Sequence, residues 1–387
     1  MTLLKIYDWN AVPLDSLTSS LTEEEKRCVI VSHYLNEGTL SPLTLYCYLK
    51  ARFGIPNGLQ MLFKNKESSD NLIHWHYTIR SGDEKLDVVG HTTRVEFYAL
   101  SNHKYSKYEW KALLTVIKED FKRCGKELST VQKSLEHWSL FINPYRRLRY
   151  IVDGHIENLK RLELDKLQPV GAIQNGYDKE EFTKKLNLYI SAHTKAASLS
   201  SMIRMSAPVL AESFVNLVIF LTVKPEVKSD SRIYNDFIQK HIDIRLKTLP
   251  LFCNGFKSKP DDSINQIKEF RRLMDRRNFI LHGNFDPNAL AVGDVWFDHL
   301  TPLFKEERMF YERVTEHSLT HIEPNEAFKD ISIVDDFIEY ILNLLDDESK
   351  LKVLSFKDHA TPGWLKSKNR IGRLFPDHFS ELLPTKD

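Results

Sequence analysis

Ile264-Asn265-Gln266-Ile267-Lys268-Glu269-Phe270-Arg271-Arg272-Leu273-Met274-Asp275-Arg276-Arg277-Asn278-Phe279-Ile280-Leu281-His282 reads as one helix. Projected at ~100° per residue, Ile264, Ile267, Phe270, Leu273, Met274, Ile280 and Leu281 form one broad apolar arc, as expected of a helix packed in a bundle. Arg277 falls inside that arc. A guanidinium does not shed its proton in a protein, so an arginine among apolar neighbours is costly unless it is paired or reaches an interface. Asn278 and His282, four apart, stack on one edge of the arc. Arg277 and His282 are ~140° apart, yet can converge on a ligand lying across that edge. Gly283 is the expected C-cap, which leaves His282 in the last turn, where the helix dipole favours the protonated imidazole. Five cations (Lys268, Arg271, Arg272, Arg276, Arg277) face two carboxylates (Glu269, Asp275) along this helix, an excess suited to phosphate.

Upstream, the stretch 209–221 is apolar nearly all round except for Glu212, Ser213 and Asn216, so it belongs inside a bundle. Glu212 and Asn216 make one narrow polar stripe that must find partners there. The natural partner of a buried glutamate is a buried arginine, and Arg277 is the expected one. Further helices are expected at 179–205, 208–222, 231–247, 263–282 and 332–347. Together they form a helical bundle of ordinary size.

The remainder of the 387 residues divides by punctuation. Thr22 and Glu25 form a capping box expected to open a helix through Leu35, and Ser41-Pro42 opens a second, ended by Gly54. Ile73, Trp75, Tyr77 and Ile79 alternate with His74, His76, Thr78 and Arg80. With the runs 85–89 and 93–99 they suggest a three-stranded antiparallel meander. Helices are expected at 107–123, 129–141 and 145–163, and a strand or irregular crossing within 287–304. The fold class is therefore mainly α: an N-terminal mixed α+β domain (1–168), a linker (169–178), a helical bundle (179–350) and a C-terminal extension (351–387) whose tail from Pro362-Gly363 onward is expected to be loosely attached.

Composition narrows the class of function. Lys plus Arg number 54 against 53 Asp plus Glu, so no global field draws the chain onto nucleic acid or anionic membrane, and any basic site must be local. Four dispersed cysteines (Cys28, Cys47, Cys124, Cys253) make no Cys-x-x-Cys pair. They read as idle thiols of a reducing compartment. No signal peptide is evident, and the run 207–223 is too short and polar for a span, so a cytoplasmic protein with no membrane partner is expected. No Walker loop, dinucleotide glycine pattern, nucleophile elbow or kinase set is present, and no cofactor or metal is implied. A His-x-His pair at His74 and His76, near His91, could ligate metal, but a solvated polar face explains it more simply. Tyr145-Arg146-Arg147-Leu148-Arg149-Tyr150 interleaves bases and aromatics as RNA-binding surfaces do, but an amphipathic helix with snorkelling arginines explains it more readily.

Arg277-Asn278-Phe279-Ile280-Leu281-His282 has the form Arg-polar-x-x-x-His. With Gly283 and the earlier Glu212-Ser213-Phe214-Val215-Asn216, it resembles the HEPN superfamily (higher eukaryotes and prokaryotes nucleotide-binding domain) over about residues 179–348. The resemblance implies an all-helical domain that dimerises with its motif helices near the two-fold axis and often cleaves RNA without a metal, many members being toxins or abortive-infection effectors of antiviral (phage) defence. Carried onto this sequence, His282 would be general acid or base, Arg277 would bind the scissile phosphate, and Asn278 would orient one of them. Beside these three, Glu212 and Asn216 are the expected supporting polar residues, and the local cation excess makes Arg271, Arg272 and Arg276 candidate RNA contacts. That set suffices for 2′-OH attack on the adjacent phosphate. The expectation is thus a metal-independent endoribonuclease acting as a homodimer on RNA, with no trigger or inhibitor identified. The alternative is a non-catalytic HEPN-like dimerisation or binding protein whose N-terminal domain recognises a partner or RNA.

Overall fold

The computed structural model describes residues 3–13, 29–35, 40–60, 72–101, 105–167, 179–282, 294–305, 324–368 and 370–374. Helix predominates, with a small antiparallel sheet near the N-terminus. Two compact units are distinguished, one running to Ser139 and taking in Leu365–Arg370, the other Leu140–Trp364 with Ile371–Leu374. The linker expected at 169–178 lies outside the described residues.

The first unit contains β1 (Asn10–Ala11), β2 (Val29–Leu35), α1 (Pro42–Phe53), β3 (Trp75–Ser81), β4 (Glu84–Gly90), β5 (Val95–Ser101), α2 (Lys107–Arg123) and α3 (Gly125–Ser134). α1 starts and stops as its sequence dictates: the Ser41 hydroxyl accepts from Thr44 N at 3.1 Å, and Gly54 closes the helix at φ +81°. The expected meander is the centre of a five-stranded antiparallel sheet of order β1-β3-β4-β5-β2. Residues 29–35 correct the expected helix. They pair with β5 from Val29↔Ser101 to Leu35↔Val95, because the β-branched run Val29-Ile30-Val31 suits a pleated ladder better than a helix. Thr22 and Glu25 lie outside the described residues. One sheet face, carrying Tyr77, Ile79, Leu86, Val88 and Phe97, buries against Leu45, Tyr48 and Leu49 of α1 and Trp110, Leu113 and Ile117 of α2.

The opposite face is not a solvated histidine surface. His76 and Thr78 are buried. His76 Nδ1 accepts from Leu59 N at 3.0 Å, its Nε2 lies 3.0 Å from Asp87 Oδ1, and Asn57 bonds the Thr78 backbone, so the segment after α1 is tied over these strands. His91 is buried beside Glu96, and His74 pairs with Thr92. Among the described residues no group of three or more His, Cys, Asp or Glu could hold a metal ion.

After β6 (Trp138–Leu140), the second unit is helical: α4 (Pro144–Lys160), α5 (Lys179–Thr222), α6 (Pro225–Ser229), α7 (Ser231–Gln239), α8 (Ile242–Phe252) and α9 (Asn265–His282). The hairpin β7 (Val295–Asp298) and β8 (Thr301–Phe304) follows, then α10 (Pro324–Asn343) and α11 (Asp347–Lys357). The two helices expected at 179–205 and 208–222 are one 44-residue helix, α5, with Pro208 inside it. An interior proline costs ~3 kcal/mol. Here Ile203, Ala207, Leu210, Ala211 and Phe214 are completely buried around it, and that packing outweighs the cost. By length and composition, Thr183–Thr222 is long and apolar enough to cross a membrane. Its buried face supports the reading of a core helix. Tyr145 of α4 packs edge-on against Phe214 of α5 (5.4 Å), and Phe270 of α9 stacks on Phe337 of α10 (4.3 Å).

Other boundaries differ from expectation. The helix expected at 129–141 is α3, which stops at Ser134 and gives way to β6. The stretch 231–247 is broken at Lys240 and His241 into α7 and α8, and α10 begins eight residues earlier than expected, with Pro324 at its first position. The extension begins within α11, capped by Asp346 on Ser349 N (2.7 Å), and the tail expected to be loose contains strands β9 (Gly363–Leu365) and β10 (Arg370–Gly372).

Candidate functional site

The apolar arc of α9 buries Ile267, Phe270, Leu273 and Met274, which anchor the helix. Its last turns behave differently: Leu281 is 57% exposed and His282 is exposed, while Arg277 and Asn278 are half-buried. The arc therefore ends one turn before the motif. Gly283 lies outside the described residues.

The arginines of α9 divide by what they touch. Arg271 is clamped between Asp243 (Nε to Oδ1, 2.8 Å) and Asp262 (2.7 Å). Arg276 reaches Asp330 at 3.0 Å and Glu326 at 3.6 Å, and Arg204 of α5 holds the other oxygen of Asp330 at 3.2 Å. Burial raises the Asp330 carboxyl, and the two guanidiniums oppose that rise. Arg272 pairs with Glu269 one turn back. Arg277 has no carboxylate partner among the described residues. Its Nε (3.3 Å) and terminal nitrogen (2.9 Å) both donate to Oδ1 of Asn278. A cleft of about 410 Å³ opens beside these groups, lined by Glu269, Arg272, Asp275, Arg276 and Lys329.

The expected Glu212–Arg277 pair is absent. Arg245 of α8 takes that place: it lies 3.7 Å from Glu212 Oε1 and donates to Asn216 Oδ1 at 2.6 Å. The reason lies along α5. Arg204, which shares Asp330 with Arg276, precedes Glu212 by eight residues, ~12 Å of helix. The Glu212–Asn216 stripe thus belongs to another level of the bundle, and its support of the motif is indirect at most. Arg245 and Asp330 were both legible as anomalies. Ile242, Arg245, Leu246 and Leu249 repeat at i, i+3, i+4 and i+7, as do Ala327, Asp330, Ile331 and Val334, and in each stripe one charged residue sits on the buried face.

Of the weaker candidates, Tyr145 is buried, and Arg149 is ion-paired to Asp153 (3.0 Å) and Asp335, so this run is an amphipathic helix. Cys47, Cys124 and Cys253 are buried free thiols, whereas Cys28 lies outside the described residues. No family model, curated protein or solved structure matches the chain.

Proposed function

We propose that this chain is a metal-independent endoribonuclease of HEPN type whose site is the C-terminal end of α9. The observation that carries the reading is the contrast among the arginines. Among the described residues, Arg271, Arg272 and Arg276 are paired with carboxylates, while the half-buried Arg277 donates only to a neutral amide; His282, in the last turn of the same helix, is exposed. A guanidinium oriented by Asn278 keeps its full charge for an anion, and a scissile phosphate supplies one. His282 acts as general base on the 2′-OH or general acid on the leaving 5′-oxygen. Attack of the 2′-oxygen then breaks the P–O5′ bond and leaves a 2′,3′-cyclic phosphate. Arg277 stabilises the charge developing on phosphorus-bound oxygen. Arg271 and Arg276 each bridge two carboxylates and shape the surface, while Arg272, mostly exposed and paired only with Glu269 of its own helix, is the readiest of the three to contact RNA. A second copy completes the phosphate contacts by placing its own α9 end opposite. An effector of antiviral defence is the setting that agrees with this chemistry.

The test is incubation of the purified chain with total cellular RNA in EDTA. Fragments ending in cyclic phosphate are expected, with DNA left intact. Intact RNA with a stable dimer would favour the non-catalytic assembly reading instead.

A further inference from the structure

A cavity of about 460 Å³ lies between the start of α4 and the later turns of α5, with Phe356, Pro362 and Trp364 on a further side. Its walls are mostly aromatic. Phe141 and Phe220 meet edge-on at 5.5 Å, and Tyr145, Leu217, Phe356 and Trp364 line much of the remainder. The cavity is a built feature. Asn143, 1% exposed, donates to the carbonyls of Phe356 (2.9 Å) and His359 (3.0 Å), while its Oδ1 caps α4 through Tyr145 N (3.1 Å). The backbone N of Phe141 donates to Pro362 O (3.0 Å), and that of Asn143 to Ala360 O (2.9 Å). The chain around Phe356 to Pro362 is thereby locked to the start of α4. The volume falls in the range of small-molecule sites, which combine apolar walls with a few placed polar groups.

No Asp, Glu, Lys, Arg or His lines this space. A charged group placed in it would lose its hydration and meet no counter-charge, so the chemistry of the walls selects a neutral occupant. The polar side chains then decide what that occupant must present. Asn143 is spent on the main chain. Asn216 is spent on one side only: Arg245 Nη1 donates to its Oδ1 at 2.6 Å, and because a guanidinium cannot accept, the oxygen of this amide is committed to α8. What Asn216 offers a ligand is its NH2 group, a donor with no acceptor among the described residues. Asn216 is exposed, so it stands where the cavity meets solvent. Ser213, three residues earlier on the same helix, adds a hydroxyl that has no partner among the described residues.

We propose that the cavity binds a neutral, fused-ring organic molecule carrying one uncharged hydrogen-bond acceptor such as a ketone oxygen. The rings lie among Phe141, Tyr145, Leu217 and Phe220, and the carbonyl oxygen accepts from Asn216 Nδ2 and the Ser213 hydroxyl. Arg245, 6% exposed, is the positioning residue, since its bond to Oδ1 fixes which way round the Asn216 amide sits. The site shares no residue with the α9 end, so its test is separate from that of RNA cleavage.

The test uses prodan, a neutral naphthyl ketone whose emission shifts to the blue when it leaves water. Added to the full chain, it is expected to bind with a blue shift, and 2-acetylnaphthalene should displace it at least tenfold more effectively than naphthalene-2-carboxylate does. Displacement by 2-ethylnaphthalene, which has the ring and no acceptor, gives the reference for the hydrogen bond. Asn216→Asp keeps an oxygen for Arg245 and removes the NH2, and the ratio of ketone to hydrocarbon affinity should fall about tenfold in it. Leu217→Trp, which fills the cavity, should abolish prodan binding, with circular dichroism checking its fold; should it misfold, Ser213→Leu takes its place. Absence of prodan binding, equal displacement by the carboxylate, an unchanged ketone-to-hydrocarbon ratio in Asn216→Asp, or prodan binding that survives the filled cavity would each overturn the proposal.

Discussion

Arg245 donates a 2.6 Å hydrogen bond to Oδ1 of Asn216 from inside the helical unit, where only 6% of its surface is exposed. The arginine that answers the polar stripe of α5 is thus on α8, not on the motif helix. Burial lowers the pKa of its guanidinium, and Glu212 opposes that shift.

Stability should separate the two arginines. Arg245→Met strips Glu212 of its cation and Asn216 of its donor, and is expected to cost ~2–4 kcal/mol in urea unfolding. Arg277→Met loses only a bond to its neighbour and should cost under ~1 kcal/mol. Equal losses would contradict the assignment.

Activity should separate them in the opposite sense. His282→Ala and Arg277→Met are expected to abolish RNA cleavage in EDTA while their unfolding transitions stay within ~1 kcal/mol of the parent, because neither side chain is part of the packed arc. Wild-type cleavage by folded His282→Ala would remove the support for a nuclease.

Leu281, 57% exposed beside the motif, is the natural point of contact with a second copy. Light scattering of the full chain should give twice the monomer mass, and Leu281→Glu should return it to a monomer and reduce cleavage together with the mass. A fully active monomer would rule out a composite site.

In the first unit, Asp120 controls acid stability. Burial would raise its carboxyl pKa, but hydrogen bonds from Arg123 (2.6 Å) and Tyr48 (2.8 Å), with Arg52 at 3.6 Å, hold it below the ordinary value. A pKa lowered on folding contributes stability above the unfolded value, ~3.9, and that contribution is lost as pH falls through the folded value. Asp120→Asn is expected to cost ~3–5 kcal/mol at pH 7. The difference from the parent should narrow below pH ~4. Thermal unfolding at pH 7, 5 and 3 reads this directly, and a constant difference would exclude the mechanism.

Local signals decided much of this protein before any contact was known. Ser41-Pro42 and Gly54 bound α1 because caps and φ preferences act within a few residues, and the alternation of Trp75, Tyr77 and Ile79 marks β3 because side-chain period is a backbone property. The burial of Ile267, Phe270, Leu273 and Met274 on α9 was legible for the same reason. Partnership was not. Whether Glu212 meets Arg277 or Arg245 depends on which helices lie side by side and at what height, and nothing within either segment carries that information. Tertiary packing likewise carried α5 through Pro208, buried His76 under the segment that follows α1, and drew Val29–Leu35 into the sheet. In each case local preference amounted to a few kcal/mol at most, and the burial and pairing available only in the assembled fold exceeded it.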